Sequence, residues 1–281
     1  MLDFCYKLAR KSIPRFLYEV FRSSYFGRRK FWETIDTYRE HFLKYQEAAQ
    51  TGFRDKNILE VGSGDQIFTA LFFLNQGCKR VILVDPKFDV INNGERLAAG
   101  ISVFKAAYPQ FSLSDDEVKE RILAEKDLCN IADTFDNGID FIFSHTVLEH
   151  FQDLDGFYSN VRRLLAHDGV SFNKVDLSDH TYHIFSRFKF SLPLANRGRL
   201  RHLRYSDKVF AFINDPKCYM NRKPLPLYCQ KAKAYNLKCR ITEKVLFDRA
   251  VKAHKDIVKE LDAFDKEDIN ALQFWMFLEK Q

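Results

Sequence analysis

The chain has 281 residues, 46% of them hydrophobic and 15% aromatic, and a net charge of +6. That length suits one domain with insertions, and the composition excludes a disordered or fibrous chain. No apolar run approaches the ~20 residues that span a bilayer, and the N-terminus lacks the continuous apolar stretch of a secretory signal.

The six cysteines (Cys5, Cys78, Cys129, Cys218, Cys229 and Cys239) are scattered with no C-x-x-C pair. Their pattern points away from a zinc site and toward reduced thiols, so a cytoplasmic protein without a metal is expected. Charge is unevenly placed. Residues 1–31 carry eight Lys/Arg against two acids, and residues 187–249 carry sixteen against four, which leaves the remainder at −12. A basic flank and a basic late segment around an acidic middle suggest an anionic partner.

In chain order, residues 1–50 are expected as an N-terminal helical cap and residues 51–281 as the main domain. Met1–Ser23 sets Phe4, Leu8, Ile13, Phe16 and Phe21 among Lys7, Arg10, Lys11, Arg15 and Arg22, with a break at Pro14. Such a segment packs over the site or, through residues 1–30, touches an anionic membrane surface. Phe31–Ala49 continues as a helix.

Asn57–Val61 reads as a buried strand, Gly62-Ser63-Gly64 as a tight turn, and Ile67–Gln76 as a helix stopped by Gly77. Arg80–Val84 is a second strand, ending in Asp85. Phe88–Phe104 reads as helix and loop around the turn signal Asn92-Asn93-Gly94. Ser114-x-x-Glu117 should cap a helix within Ser112–Leu123, and Ala124–Leu128 should be a short strand. Ile139–Ser144 is a buried strand, Leu154–Leu165 an amphipathic helix, Asp168-Gly169 a turn, and Val170–Val175 the next strand. Alternation of this kind predicts a mostly parallel sheet with helices on both faces. Residues 176–235 break it. They are basic, aromatic and turn-rich, and are expected as an inserted lid. Leu237–Thr242 returns as a strand, Phe247–Leu261 as a helix and Phe274–Glu279 as a last strand.

The strand–glycine turn–helix–strand unit at 57–86 is a nucleotide-binding pattern with an acidic residue about 20 positions beyond its glycines. A dinucleotide site wants a third glycine at the position of Ile67. It would also be repelled by Glu60, just before the first glycine. A carboxylate there suits a cationic amino-acid ligand, and Asp85 suits a ribose with both hydroxyls free.

E-V-G-S-G (Glu60–Gly64), V-D-P (Val84–Pro86) and S-H-T-V-L-E-H (Ser144–His150) resemble the class I S-adenosylmethionine-dependent methyltransferases, most closely over residues 55–176. The third motif is similar to the S-x-x-V-L-E-H of their small-molecule branch. The usual third glycine of the first motif is replaced by Gln66. The resemblance implies a Rossmann-like α/β fold with seven strands, the last antiparallel. It implies S-adenosylmethionine as cofactor, with Glu60, Gly62, Ser63, Gly64, Asp85, Asp127, Leu128 and Ser144 around it. In that set Asp85 holds the ribose and Asp127, beside the Leu128 N–H, meets the adenine amino group.

Methyl transfer needs positioning and exclusion of water, and a hydroxyl acceptor needs its proton taken. His145 stands at the carboxyl end of a strand, and Asp179-His180 reads as a base with its orienting carboxylate. These three are the catalytic candidates. His150 is more suited to a structural hydrogen bond. No further ligand cluster supports a metal at His180 and His183. His183, Arg197, Arg201 and Arg204 are expected at the acceptor, because arginine forks match phosphate and carboxylate. The expected activity is methyl transfer to an oxygen of a sugar or other metabolite, with or without a phosphate. The alternatives are a non-catalytic S-adenosylmethionine-binding partner subunit and an RNA or protein methyltransferase. No RNA-binding module is visible, so nucleic acid is not the expected partner.

Overall fold

Strand β1 (Asn57–Val61) is buried over its last four residues because it lies inside a sheet covered on both faces. The computed structural model describes residues 31–64, 66–86, 94–179, 200–214, 219–247 and 264–281. Among them β1 pairs in parallel with β2 (Arg80–Val84) and β4 (Ile139–His145), β2 with β3 (Ile122–Glu125), and β4 with β5 (Leu165–Asp176). Two further strands, β6 (Leu237–Leu246) and β7 (Ala271–Lys280), extend the sheet. Strand β7 runs antiparallel to both β5 and β6. The order is β3-β2-β1-β4-β5-β7-β6. This is the expected Rossmann-like sheet of seven strands, parallel except at its last strand.

One face is covered by α1 (Phe31–Ala49), α2 (Phe68–Asn75), α3 (Gly94–Ala107) and α4 (Asp115–Arg121). Its core is aromatic: Phe73 stands 4.7 Å from Phe53, 5.1 Å from Phe42 and 5.2 Å from Phe143, in edge-on and tilted arrangements. Much of the chain's high aromatic content is therefore structural. The other face packs aliphatic side chains of α5 (Cys129–Ala132), α6 (Leu154–Leu164) and α8 (Leu225–Ala234) on the sheet. The remaining elements are α7 (Asp207–Ile213) and α9 (Lys266–Ile269). Helix α1 keeps the expected bounds. It fastens onto the sheet through Ile35, Phe42 and Tyr45, each under 5% exposed.

Several boundaries differ from expectation, each for a local reason. The Ser114 hydroxyl accepts from the Glu117 N–H (3.2 Å), and the Glu117 carboxylate accepts from the Ser114 N–H (2.7 Å). This reciprocal cap starts α4 at Asp115. The helix then runs straight into β3, which ends at Glu125 where 124–128 was expected. Strand β5 begins at Leu165 and passes through Asp168-Gly169 as a register shift against β4, not as a separate turn. Strands β6 and β7 are longer than expected because each is the other's ladder partner. Helix α3 starts at Gly94. The expected segments at 1–30 and 248–261 lie outside the described residues. No helix among the described residues is long and apolar enough to cross a membrane.

Phe73 joins α1, α2 and the sheet, and it is fully buried. Phe73→Ala should therefore lose ~3–5 kcal/mol of unfolding free energy in a denaturant titration. A loss under about 1 kcal/mol would show that the cap and the sheet do not share one core.

Candidate active site

Strands β1 to β5 all end at one edge of the sheet, where ligands bind in open α/β folds. That edge brings together Glu60, Asp85, Glu125, His145 and Asp176. The turn after β1 is built from two close approaches. Gly62 has φ +77° and donates its N–H to Val84 O (2.7 Å). A Cβ on Gly62 would lie 2.4 Å from Val147 Cγ2, so only glycine fits there. Val147 belongs to the S-H-T-V-L-E-H motif, so the first and third motifs touch. Gly64, at φ +66°, donates its N–H to Asp85 Oδ2 (3.0 Å), and a Cβ there would meet open space. This glycine serves backbone conformation and approach, not packing.

Glu60 is 7% exposed, and its Oε2 has no hydrogen-bond partner among the described residues; the same holds for Ser63 Oγ. Burial raises the Glu60 carboxyl to about 8, with the Asp85 charge adding to it. A buried polar group left without a partner calls for an explanation. Donors from a bound ligand supply one. On that ground Glu60 and Ser63 fit the amino-acid end of the expected cofactor.

Asp127 is exposed, and its Oδ1 accepts from the Cys129 N–H (2.9 Å) at the start of α5; Leu128 beside it is buried in the aliphatic core. Ser144 is fully buried, and its hydroxyl donates to Asn173 Oδ1 (2.8 Å), whose amide donates on to Ser171 Oγ (2.8 Å). The Ser144 side chain thus ties β4 to β5 inside the sheet.

His145 is met by two side chains of α1 that sequence reasoning did not single out. The Tyr45 hydroxyl lies 3.0 Å from His145 Nδ1, and the His41 ring stacks on His145 at 3.7 Å between centroids. Trp275 of β7 stands edge-on at 5.5 Å. Tyr45 is 1% exposed, and its hydroxyl and His145 Nδ1 share this hydrogen bond. A buried phenol must donate, so Nδ1 is assigned as acceptor and the ring proton falls on Nε2. On that assignment the outer nitrogen, Nε2, carries the N–H. Burial lowers it to about 2, with the His41 and Lys174 charges adding. Burial and then Lys174 lower His41 to about 4. Both rings are neutral at pH 7. The one signal in the sequence was that His41 and Tyr45 stand four apart on α1.

After β4 the turn Leu148–His150 carries Glu149, 1% exposed and held well above the usual carboxylate range by burial. Asn221 clamps this turn. Its N–H donates to Glu149 O (2.8 Å) and its amide to Leu148 O (2.7 Å), while Tyr228 of α8 donates to Asn221 Oδ1 (3.2 Å). His150 Nδ1 bonds Tyr219 O, a structural role as expected. The segment at 219–222, inside the expected lid, therefore grips the third motif from below. Arg222 is buried, pairs with Asp207 (3.1 Å) and lies over the Phe210 ring. Asp179 is 1% exposed, just past Asp176, which accepts from the Ser178 N–H (2.9 Å) and the Gln273 amide (2.8 Å). Arg201 and Arg204 bound one short 3-10 turn, and the Arg204 side chain is exposed. His180, His183 and Arg197 lie outside the described residues. No cluster of metal-ligating side chains occurs among the described residues.

A family model for the methyltransferase domain matches residues 31–234. No curated protein matches the chain. Similar solved structures include phosphoethanolamine N-methyltransferase 2 of Haemonchus contortus in complex with S-adenosyl-L-methionine. It is 14% identical with a TM-score of 0.49, covering 86% of this chain and 53% of that one. Geranyl diphosphate C-methyltransferase of Streptomyces coelicolor is 10% identical with a TM-score of 0.49, covering 86% and 78%. The YcgJ protein of Bacillus subtilis is 12% identical with a TM-score of 0.44, covering 86% and 99%.

Gly62→Ala should lower the melting temperature, and adding Val147→Ala should recover part of the loss. No recovery would mean that the positive φ alone, and not the contact with Val147, requires glycine. The two histidines predict an acid limb. Unfolded imidazoles bind protons near 6.5, while folded His41 and His145 refuse them until about 4 and about 2. Stability is therefore full above 6.5 and falls as the pH drops below it. Denaturant midpoints across that range should fall less steeply in His41→Phe, which keeps a stacked ring; an unchanged slope would remove His41 as a cause.

Proposed function

The chain belongs to the methyltransferase domain family, and on that footing we propose that it moves a methyl group from S-adenosylmethionine to a small-molecule acceptor, an oxygen of a sugar or of another phosphate-bearing metabolite. The buried Glu60 carboxyl carries this reading: it has no partner for Oε2 among the described residues, and it stands beside a glycine turn whose Gly64 N–H is held by Asp85. A dinucleotide's pyrophosphate would find Asp85 and a buried carboxyl there in place of a positive partner. A ligand with a cationic amino group and a free ribose would be held.

S-adenosylmethionine, when bound, supplies a methyl group on a sulfonium, an electrophile with a good leaving group. The chain's own part is to bind, orient and exclude water. Gly62 and Gly64 let the backbone come close, Glu60 and Ser63 would meet the amino-acid end, and Asp85 would accept from the ribose hydroxyls. Asp127 and the Leu128 N–H would face the adenine. His145, whose Nδ1 is engaged by the Tyr45 hydroxyl, would stand at the acceptor side as a catalytic candidate. The proton of a hydroxyl acceptor would pass to the pair Asp179-His180. Arg197, Arg201, Arg204 and His183 would hold the anionic part of the acceptor. The scattered cysteines support a reducing compartment, the cytoplasm, as the place of the reaction.

Calorimetry tests the cofactor. S-adenosylmethionine should bind, and Asp85→Ala should weaken it at least tenfold; no binding, or binding indifferent to Asp85, would overturn the reading. Because Glu60 holds its proton up to about 8, a cation binding beside it must displace that proton. Affinity should rise from neutral pH toward about 8, and Glu60→Gln should flatten the rise. An acceptor screen by mass spectrometry, reading the gain of one methyl group, then tests transfer.

A further inference from the structure

Two of the four thiols among the described residues lie against each other. Cys229, in the middle of α8, and Cys239, on β6, have their sulfurs 3.1 Å apart, and both residues are half-buried. We propose that these two residues form a reversible disulfide, a covalent modification site at the outer edge of the sheet.

The elements that carry the thiols are already joined. Helix α8 ends at Ala234, the chain turns at Tyr235-Asn236, with Asn236 at φ +53°, and β6 returns antiparallel to β7 with Cys239 opposite Leu278. An asparagine tolerates that left-handed turn. The loop between the cysteines is thus short and already folded back. A disulfide needs its sulfurs about 2.05 Å apart, so they must close by about 1 Å. That shift is within the reach of side-chain rotation on a helix surface. Neither Cys78, buried in the core, nor the exposed Cys129 has a cysteine neighbour among the described residues.

The chemistry balances with a small disulfide as oxidant, such as glutathione disulfide. The Cys229 thiolate attacks one oxidant sulfur, the oxidant's S–S bond breaks, and one glutathione thiolate leaves. The Cys239 thiol then loses its proton and attacks the Cys229 sulfur, which releases the second glutathione. The protein gives up two electrons and two protons, and the oxidant becomes two thiols. Cys229 suits the first step. The Cys239 S–H donates to it, and this lowers its thiol below the ordinary value.

The bond would fasten α8 to the sheet edge. Tyr228 precedes Cys229 and donates to Asn221, which clamps the Leu148–His150 turn at the candidate site. Fixing α8 therefore also fixes the support of the third motif. In a reducing compartment such a bond is transient and responds to the thiol balance.

The test uses the full chain. Reduced protein is incubated with glutathione disulfide, the remaining thiols are alkylated, and the protein is digested with trypsin without reduction. Lys231, Lys233 and Lys238 separate the two cysteines, so a bond joins two peptides into one species lighter by two hydrogens. That species is expected in wild type. In Cys239→Ser it should be replaced by a mixed disulfide of Cys229 with glutathione. Amide exchange over residues 225–234 should slow on oxidation and recover on reduction. Alkylation of both thiols, or glutathione adducts alone in the wild type, would overturn the proposal. Unchanged exchange in the oxidised protein would overturn the fastening of α8.

Discussion

The contact between Gly62 and Val147 is the constraint on which the rest of the site depends. The backbone after β1 and the side chain after β4 occupy space that a single added carbon would fill. Because β1 and β4 are parallel neighbours in the sheet, the turns that follow them lie side by side at one edge. A glycine at 62 lets them pack in contact. The positive φ that this needs turns the chain so that Gly64 N–H meets Asp85 at the end of β2. Three strand ends are thereby set by one residue without a side chain.

The same edge divides its charges. Glu60 and Asp85 stand close enough that burial and mutual repulsion keep a proton on Glu60 up to about 8. On the α1 face the opposite holds: His41 and His145 are kept neutral by burial and by Lys174. The uncharged imidazoles beside the acidic turn leave Lys174 as the positive charge that acts on this face.

Below the third motif the support is equally specific. Asn221 uses both its backbone and its amide on the Leu148–His150 turn, and Tyr228 holds Asn221 in turn. Residues 219–222 thus support the motif, and they run on into α8, which leads to the edge strand β6. Movement of α8 is mechanically coupled to the motif through two side-chain hydrogen bonds.

Much of this was readable along the chain. The strands β1, β2 and β4, helix α1, the cap at Ser114 and the glycine turn with Asp85 follow from hydrophobic period and turn chemistry, which are local. The methyltransferase resemblance followed from three motifs within 91 residues of one another. What the sequence left open were contacts between distant segments. Tyr45 and His145 are 100 positions apart, and nothing in either's neighbours says that a phenol will set the tautomer of that imidazole. The length of β6 and β7 was set by their pairing with each other, and Ser144 was drawn into the sheet by Asn173 on the adjacent strand. The sequence by itself determined the architecture, the glycine turn and the acidic residues of the nucleotide edge, because these depend on backbone conformation and on periodicity. Only the tertiary structure decided which side chains act together there, because proton positions, burial and mutual charge are properties of neighbours brought in by other strands and helices.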